Sequence, residues 1–238
     1  MRIDILTLFP ELFPGPLGES IIGRAAKKGV ISVNAVDVRE FATDARGTVD
    51  EKPYGGGPGM LMVPDVLTRA VESVKDAGSK VILTSPRGEV MNQQLARELA
   101  KEEHLILIAG HYEGVDQRVI DLVVDREISI GDFVLSNGNI AAMAIADAVI
   151  RLLPGVLGDG ESAVEESHSM GLLEYPQYTR PPEFRGLKGP ELLLSGDHGK
   201  VAEFRKREAE RITRQRRPDL WEKYLISELN KEVKNEHS

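Results

Sequence analysis

The sequence predicts an α/β protein built on a parallel β-sheet. Three short apolar runs, residues 81–84, 105–109 and 127–130, each lead into a loop that contains glycine. Short β-branched and aliphatic runs bounded by Gly or Pro are typical of buried strands in a parallel sheet. Ligands of open α/β sheets bind outside the carboxyl ends of the strands. We therefore expect the three loops to form one site for a small polar ligand.

The other elements follow in the same alternating order. Residues 2–8 and 31–38 predict two more strands, and the helix between them, over residues 17–28, ends at Gly29, a typical residue just past a helix. Further helices are predicted over residues 64–77, 92–103, 115–124 and 140–153, and a further strand over residues 133–135. The tail predicts two helices, residues 199–216 and 219–234, separated by Pro218.

Residues 39–63 form a long irregular stretch that includes the glycine-rich segment PYGGGPGM, residues 53–60. Long structureless loops in compact domains are uncommon and are usually functional or disordered. Pro53, Tyr54 and Pro58 stiffen this one, and apolar residues follow it. We therefore expect a loop folded over a ligand.

Composition indicates a soluble, cytoplasmic protein without a membrane partner. The chain has 238 residues, 41% of them hydrophobic, and no cysteine. With no signal-like start, a reducing compartment is expected. The most apolar window, residues 140–157, carries Asp147 and Arg151 and is interrupted by Pro154, which argues against a membrane span.

Charge is unevenly distributed. The chain carries a net charge of −8, but residues 200–217 hold eight Lys or Arg and three Glu. At about 100° per residue, one stripe of the predicted helix collects four cations: Lys200, Arg207, Arg211 and Arg214. Such a row suits an RNA backbone, although a solvated charged face is the ordinary alternative. We expect three regions: an α/β domain over residues 1–154, a linker over residues 155–182 and a helical domain over residues 183–238.

Several motifs together resemble one family. GHYEGVD (residues 110–116) and SIGDFVLS (residues 129–136), with DILTLFPE, YGGGPGM and RLLPGVLG elsewhere, are similar to the bacterial tRNA (guanine-N(1)-)-methyltransferases of the SPOUT class. The resemblance implies a C-terminal trefoil knot in the α/β domain and S-adenosylmethionine (AdoMet) as methyl donor. It also implies a homodimer whose active site is shared between subunits. The implied substrate is tRNA, methylated at N1 of the guanosine immediately 3′ of the anticodon.

The resemblance and the strand-end argument select the same cofactor-binding candidates. These residues lie in the three loops: Thr84, Ser85, Pro86, Gly110, Tyr112, Glu113, Gly114, Ser129, Ile130, Gly131, Asp132, Phe133, Val134, Leu135 and Gly138. The family pattern has Tyr, Gly and Glu where this chain has Phe133, Asn137 and Asn139. Asparagine tolerates positive φ best among non-glycine residues, so Asn137 is expected to preserve a glycine-like turn. The alternative for these loops is ordinary strand-end turns.

Methylation of guanine N1 requires a base for the N1 proton and a cation for charge on O6. By resemblance, Arg151 is the cation, and the family's catalytic Asp falls on Glu166 in the segment SAVEES, residues 162–167. Glu165 is the fallback candidate for the base. Asp50 matches a family position near the guanine and receives a supporting role. A carboxylate in an acidic linker is otherwise most often plain solvated charge.

Two other functions remain open at this stage. The chain could be a related knotted methyltransferase with another RNA target, or a catalytically weakened tRNA- or AdoMet-binding protein, because Glu166, Asn137 and Asn139 depart from the family pattern. Five histidines are scattered without ligand spacing, so no metal-ligating residues are predicted. Mg²⁺ enters only through the resemblance, without an identified site.

Overall fold

The computed structural model describes residues 1–157, 166–169 and 171–236. The chain divides into two compact units, Met1–Gly158 and Asp159–Ser238. In the described part of the chain, no helix is long and apolar enough to cross a membrane.

The first unit contains the predicted parallel sheet. Its five strands lie in the order β2-β1-β6-β5-β7, and all neighbours are parallel. The strands of this unit are β1 (Arg2–Thr7), β2 (Ser32–Asp37), β3 (Asp50–Glu51), β4 (Leu61–Met62), β5 (Ser79–Val90), β6 (His104–Ala109) and β7 (Arg126–Ser129). β3 and β4 form a separate antiparallel pair inside the long irregular stretch, a pairing that the sequence did not predict.

Helices connect the strands as expected for a parallel sheet. They are α1 (Pro14–Gly18), α2 (Ser20–Lys27), α3 (Pro64–Val74), α4 (Gln93–Leu99), α5 (Gln117–Val123) and α6 (Asn139–Ile150), with 3₁₀ turns at Pro10–Leu12 and Val38–Phe41. Local chemistry fixes where several of these helices begin. A proline, Pro64, is the first residue of α3, a position where its missing N–H costs nothing. Asn92 caps α4, because its side chain accepts a hydrogen bond from Leu95 N–H.

Two predicted elements were wrong. The single helix predicted over residues 17–28 is two helices, because Glu19 between them has an extended backbone (φ −113°, ψ 174°) and Ser20, at the start of α2, has a φ of 54°. Residues 133–135 are a loop and not a strand. Phe133 N–H turns back to the carbonyl of Gly131 at 2.9 Å, which takes the apolar run out of the sheet. Phe133 and Val134 are exposed, so hydrophobicity here marks a surface loop.

Both faces of the sheet are buried, which explains the nearly continuous apolar runs. Along β6, Leu105 and Leu107 face a layer that includes α6, while Ile106 and Ile108 face a layer that includes α3. All four are fully buried. The two layers hold the strand ends rigidly, and the loops that follow β5, β6 and β7 emerge on one side of the sheet.

The second unit contains the tail helices and one small addition. Its elements are the strands β8 (Glu183–Phe184) and β9 (Leu187–Lys188), a 3₁₀ turn at Glu191–Leu194, and the helices α7 (His198–Arg216) and α8 (Pro218–Glu236). β8 and β9 pair as an antiparallel hairpin. The prediction of an all-helical C-terminal domain is corrected accordingly; two alternating residues per strand are too short a pattern to reveal a hairpin.

A buried ionic network closes the amino ends of the strands. Asp4, on β1, is 1% exposed. Its carboxylate accepts hydrogen bonds from Arg2 at 2.7 Å and from Asn34 at 2.9 Å, and it lies 2.8 Å from His104 Nε2. His104 Nδ1 lies 3.0 Å from Asp76 Oδ2. The carboxylate of Asp4 therefore joins three parallel strands, β1, β2 and β6, toward the end of the sheet opposite to the glycine-containing loops.

We predict that Asp4→Ala lowers the free energy of unfolding by about 3 kcal/mol or more, because it removes the partner of the buried Nε2 atom of His104. Urea denaturation measures the change. Asp65→Ala is the matched control, since Asp65 pairs with Arg69 on the exposed surface of α3 and such pairs contribute under about 1 kcal/mol. Equal effects of the two substitutions would contradict the buried role of Asp4.

Candidate active site

A cavity of about 550 Å³ opens at the carboxyl ends of β5, β6 and β7. Its walls are mainly three segments: residues 84–87, 110–115 and 128–138. The first of them was predicted as a loop after a strand that ends at residue 84, but it lies within β5, where the pairing of β5 with β7 shifts in register. Cavities of roughly 300–1,000 Å³ are typical of small-molecule sites. The structure thus brings together the three loops that the sequence marked separately.

Fourteen of the fifteen predicted cofactor-binding residues line this cavity, and Asp132 does not. The lining also includes residues that the sequence reasoning missed: Leu61, Leu83, Arg87, His111, Val115, Gln117, Ile120, Ile128, Ser136, Asn137 and Ala141. Most of them belong to the same loops, so taking each loop whole would have found them. Leu61 comes from β4, which pairs with β3.

The closest approach of the three loops is at Gly138. Its N–H donates to the carbonyl of Gly110 at 2.7 Å. A Cβ atom at residue 138 would lie 2.1 Å from Thr84 Oγ1 and 2.7 Å from the Gly110 nitrogen. Because such contacts are impossible for a real side chain, only glycine lets the third loop reach the ends of β5 and β6.

The two asparagines beside Gly138 have structural contacts. Asn137 does not adopt the positive φ expected of it; instead its Oδ1 accepts from the N–H of Asn139 at 3.0 Å, at the start of α6. Asn139 is buried and accepts from Thr7 Oγ1 at 2.8 Å. Asn139 therefore ties the start of α6 to the end of β1 and is not part of the cavity lining.

Gly131 and Phe133 form a local unit in the third loop. Gly131 has a φ of 147°, and a Cβ there would lie 2.6 Å from Phe133 Cε1. The Phe133 ring thus packs against the glycine and remains about half exposed. This arrangement presents an aromatic surface at the cavity wall.

The glycine-rich loop, residues 53–60, is attached to the second cavity loop. Glu113 N–H donates to the carbonyl of Met60 at 2.9 Å, and Met62 N–H donates to the carbonyl of Gly114 at 3.0 Å. Gly59 has a φ of 77°, and the Glu113 side chain occupies the space of its absent Cβ. The loop therefore lies against the cavity, with Tyr54 almost fully exposed.

His111 lies at the edge of the cavity between two aromatic rings, with centroids 5.3 Å from Phe9 and 4.6 Å from Tyr112. Partial burial, together with the positive charge of Arg39, lowers its pKa, and the carboxylate of Asp50 opposes that shift. His111 is therefore neutral near pH 7. Asp50 itself lies in β3, within the electrostatic reach of this imidazole.

The remaining predicted residues fall in different parts of the molecule. Arg151 is the residue that ends α6 in the first unit, and it is partly buried. Glu166 belongs to the second unit and is partly buried as well. The fallback candidate Glu165 lies outside the described residues. Neither unit alone contains both members of the predicted acid–base pair.

The four predicted RNA-binding cations are exposed on α7. Two of them make local ion pairs: Lys200 with Asp197 at 3.0 Å and Arg211 with Glu208 at 2.8 Å. The pair with Glu208 raises the pKa of Arg211. Arg207 lies over the Phe204 ring, 5.7 Å from its centroid. Exposed pairs of this kind are weak, so these cations are available to a polyanion.

Among the residues that the structure describes, no group of three or more His, Asp or Glu side chains is placed to hold a metal ion.

A parallel α/β sheet with a nucleotide-sized cavity at its strand ends defines a class of ligand-binding enzymes. Comparison with known proteins gives the particular family. The chain belongs to the family described as tRNA (Guanine-1)-methyltransferase TrmD, whose model matches residues 1–223. The resemblance inferred from the motifs is thereby confirmed.

Three relatives named tRNA (guanine-N(1)-)-methyltransferase illustrate the similarity. The protein from Carboxydothermus hydrogenoformans is 56% identical over 92% of this chain and 87% of its own length. The protein from Dictyoglomus turgidum is 50% identical over 99% of both chains. The protein from Geobacillus kaustophilus is 52% identical over 98% of this chain and 96% of its own.

We predict that the imidazole of His111 titrates below its ordinary pKa of about 6.5, because burial and Arg39 both disfavour the charged ring. Arg39→Ala should raise that pKa, since a nearby positive charge is lost. Asp50→Asn should lower it further. NMR titration of the His111 ring measures all three. A midpoint that does not respond to either substitution would show that neither charge acts on His111.

Proposed function

We propose that this protein transfers a methyl group from AdoMet to N1 of the guanosine immediately 3′ of the anticodon in tRNA. The observation that carries the proposal is the strand-end cavity, built from the predicted loops in a chain of this family. Relatives that align over nearly the whole length of the chain are named for tRNA (guanine-N(1)-) methylation. A knotted methyltransferase with another RNA target is not favoured by these names.

The cavity fits AdoMet in size and in chemistry. Gly110, Gly114 and Gly131 expose backbone groups for polar recognition, and Ile130 and Leu135 offer apolar walls for a purine ring. The absence of a side chain at Gly138 lets the third loop pack closely on Thr84 and Gly110 at the cavity wall. AdoMet, when bound, supplies an electrophilic methyl group on a sulfonium centre. The protein's own task is to hold that centre and exclude competing water.

The trefoil knot belongs to the same proposal. Two contacts support it. Residues 130–138 return from β7 to the ends of β5 and β6, where Gly138 bonds to Gly110. Residue 88 has no room for a side chain, because a Cβ there would lie 2.4 Å from Ile128 N, on β7. The chain is therefore packed tightly against itself at the point where the family's knot is expected.

The proposed reaction needs two charged side chains. Glu166 would accept the N1 proton of guanine, so that the N1 lone pair forms the new bond to the methyl carbon. The carbon–sulfur bond of the sulfonium breaks in the same step, and its electron pair stays on the sulfur of the demethylated product. Arg151 would stabilise the negative charge that builds on O6. Asp50 supports the guanine from the β3 position. Glutamate in place of the family's aspartate extends the reach of the base by one methylene, so the backbone of the Glu166 segment must sit correspondingly farther from N1.

The family resemblance also extends to the assembly of the protein, its contact with tRNA and its location in the cell. Following the family resemblance, the protein is a homodimer in which the base and the AdoMet cavity come from different chains. The exposed cations of α7 contact the tRNA backbone. A cytoplasmic location fits the cysteine-free sequence. The family resemblance also implies Mg²⁺, which is assigned to no residue.

The test is transfer of labelled methyl from AdoMet to two tRNA transcripts that differ only in G or A immediately after the anticodon. We expect 1-methylguanosine, identified by mass spectrometry, in the G transcript and no methylation of the A transcript. Transfer to another nucleoside would overturn the target. Binding of both AdoMet and tRNA without transfer would favour the weakened binding protein.

Two variants in the same assay identify the base. Glu166→Gln should lower the rate by about 10²-fold or more, since proton transfer contributes that much, and Glu165→Gln should leave it nearly unchanged. The reverse result would assign the base to Glu165.

A further inference from the structure

A buried hydroxyl on α7 holds the segment that carries Glu166. Thr213, on α7, is fully buried. Its Oγ1 donates to the carbonyl of Ala209 at 2.7 Å and accepts from the N–H of Leu173 at 2.8 Å. Helical threonines often bond to the carbonyl four residues earlier. Here the same oxygen also receives a backbone donor from outside the helix.

Leu173 occupies a particular place in the loop formed by the described residues 166–169 and 171–174, which we call the Glu166 loop. The residue before it, Leu172, accepts from His168 N–H at 2.8 Å. The residue after it, Glu174, donates from its N–H to Ser167 Oγ at 2.9 Å. The two arms of the loop are thus joined on both sides of the residue that Thr213 holds.

The arm with Glu166 is closed by one more bond, from Ser169 N–H to the carbonyl of Glu166 at 3.1 Å. Leu172 is buried, and Tyr175 lies under the guanidinium of Arg205, another α7 residue, at 4.8 Å. The Glu166 loop is therefore a compact structure fixed to α7. A displacement at Leu173 is therefore transmitted to the backbone of Glu166 through two hydrogen bonds, from His168 N–H to the carbonyl of Leu172 and from Ser169 N–H to the carbonyl of Glu166.

We propose that Thr213 is a positioning residue for methyl transfer: its hydroxyl holds the Glu166 loop so that the Glu166 carboxylate reaches guanine N1. The proposal rests on the proposed function, in which Glu166 is the base. It also gives α7 two roles, since the buried side of the helix holds the base segment and the exposed side carries Lys200, Arg207, Arg211 and Arg214. The cations that bind the tRNA and the segment that carries the general base Glu166 then belong to one compact unit.

The test compares Thr213→Val, which keeps the shape and removes the hydroxyl, with Thr213→Ser, which keeps the hydroxyl. Single-turnover methyl transfer is measured at saturating AdoMet and tRNA. We expect Thr213→Val to slow the reaction by about 10-fold or more, because small misplacements of a reacting group can cost about 10²-fold. Thr213→Ser should retain a rate near that of the wild type, and the dissociation constants of AdoMet and tRNA should change less than about 2-fold in both variants.

A double-mutant cycle separates positioning from general weakening of the structure. If Thr213 acts through Glu166, Thr213→Val should slow the residual reaction of Glu166→Gln very little, because residues that act as one unit are not additive. Hydrogen exchange of the peptide spanning residues 166–174 should be faster in Thr213→Val than in Thr213→Ser. Should Thr213→Val melt early, Ser167→Ala removes the acceptor of the Glu174 N–H without altering α7 and should reproduce the rate loss.

The outcomes distinguish the two proposals. Wild-type rates in Thr213→Val, or an equal rate loss in the Glu166→Gln background, would overturn the positioning role and leave methyl transfer intact. Failure of the wild type to form 1-methylguanosine would overturn the proposed function and this role with it.

Discussion

The contact of Gly138 with Gly110 and Thr84 is the constraint on which the first unit depends. Gly110 ends β6, Thr84 lies in β5 where the first cavity loop begins, and Gly138 directly precedes α6. One residue further on, Asn139 bonds to Thr7 at the end of β1. Three strands and a helix therefore meet within two residues, and the meeting point leaves no volume for a side chain at residue 138.

The buried sheet makes that contact possible. Ile82, Leu105 and Leu107 belong to one apolar layer, and Leu83 and Ile108 to the other. Burial of both faces fixes where each strand ends. The ionic network around Asp4 performs the corresponding task at the amino ends. With both ends of the strands fixed, the three cavity segments have a defined relative position.

The strand ends were predictable because their signal is local. Apolar runs that stop at glycine identified β6, β7 and the first part of β5, although β5 continues through its predicted loop to Val90. Almost every residue proposed from these segments lines the cavity. The failures have equally physical causes. Phe133 and Val134 lie in a loop that lines the cavity, but in the sequence their apolar run has the pattern of a strand. Ser20 adopts positive φ in a sequence with unbroken helical spacing. The β3–β4 pair brings Leu61 to the cavity by a contact between short segments that no periodicity reveals. Thr213 is one polar residue in a charged helix, and only its partner, Leu173, shows what it holds.

The most direct measurement is calorimetric titration of AdoMet into the wild type and Gly138→Ala. Residue 138 has a φ of −81°, which alanine adopts without strain, so the added Cβ is the only perturbation. Gly15→Ala is the control, because nothing lies within 4 Å of a Cβ at that position. We predict that Gly138→Ala, folded by circular dichroism, binds AdoMet at least about 10-fold more weakly, a loss of about 1.4 kcal/mol, and that Gly15→Ala binds like the wild type. Unchanged affinity in Gly138→Ala would contradict the assignment of the strand-end cavity as the AdoMet site.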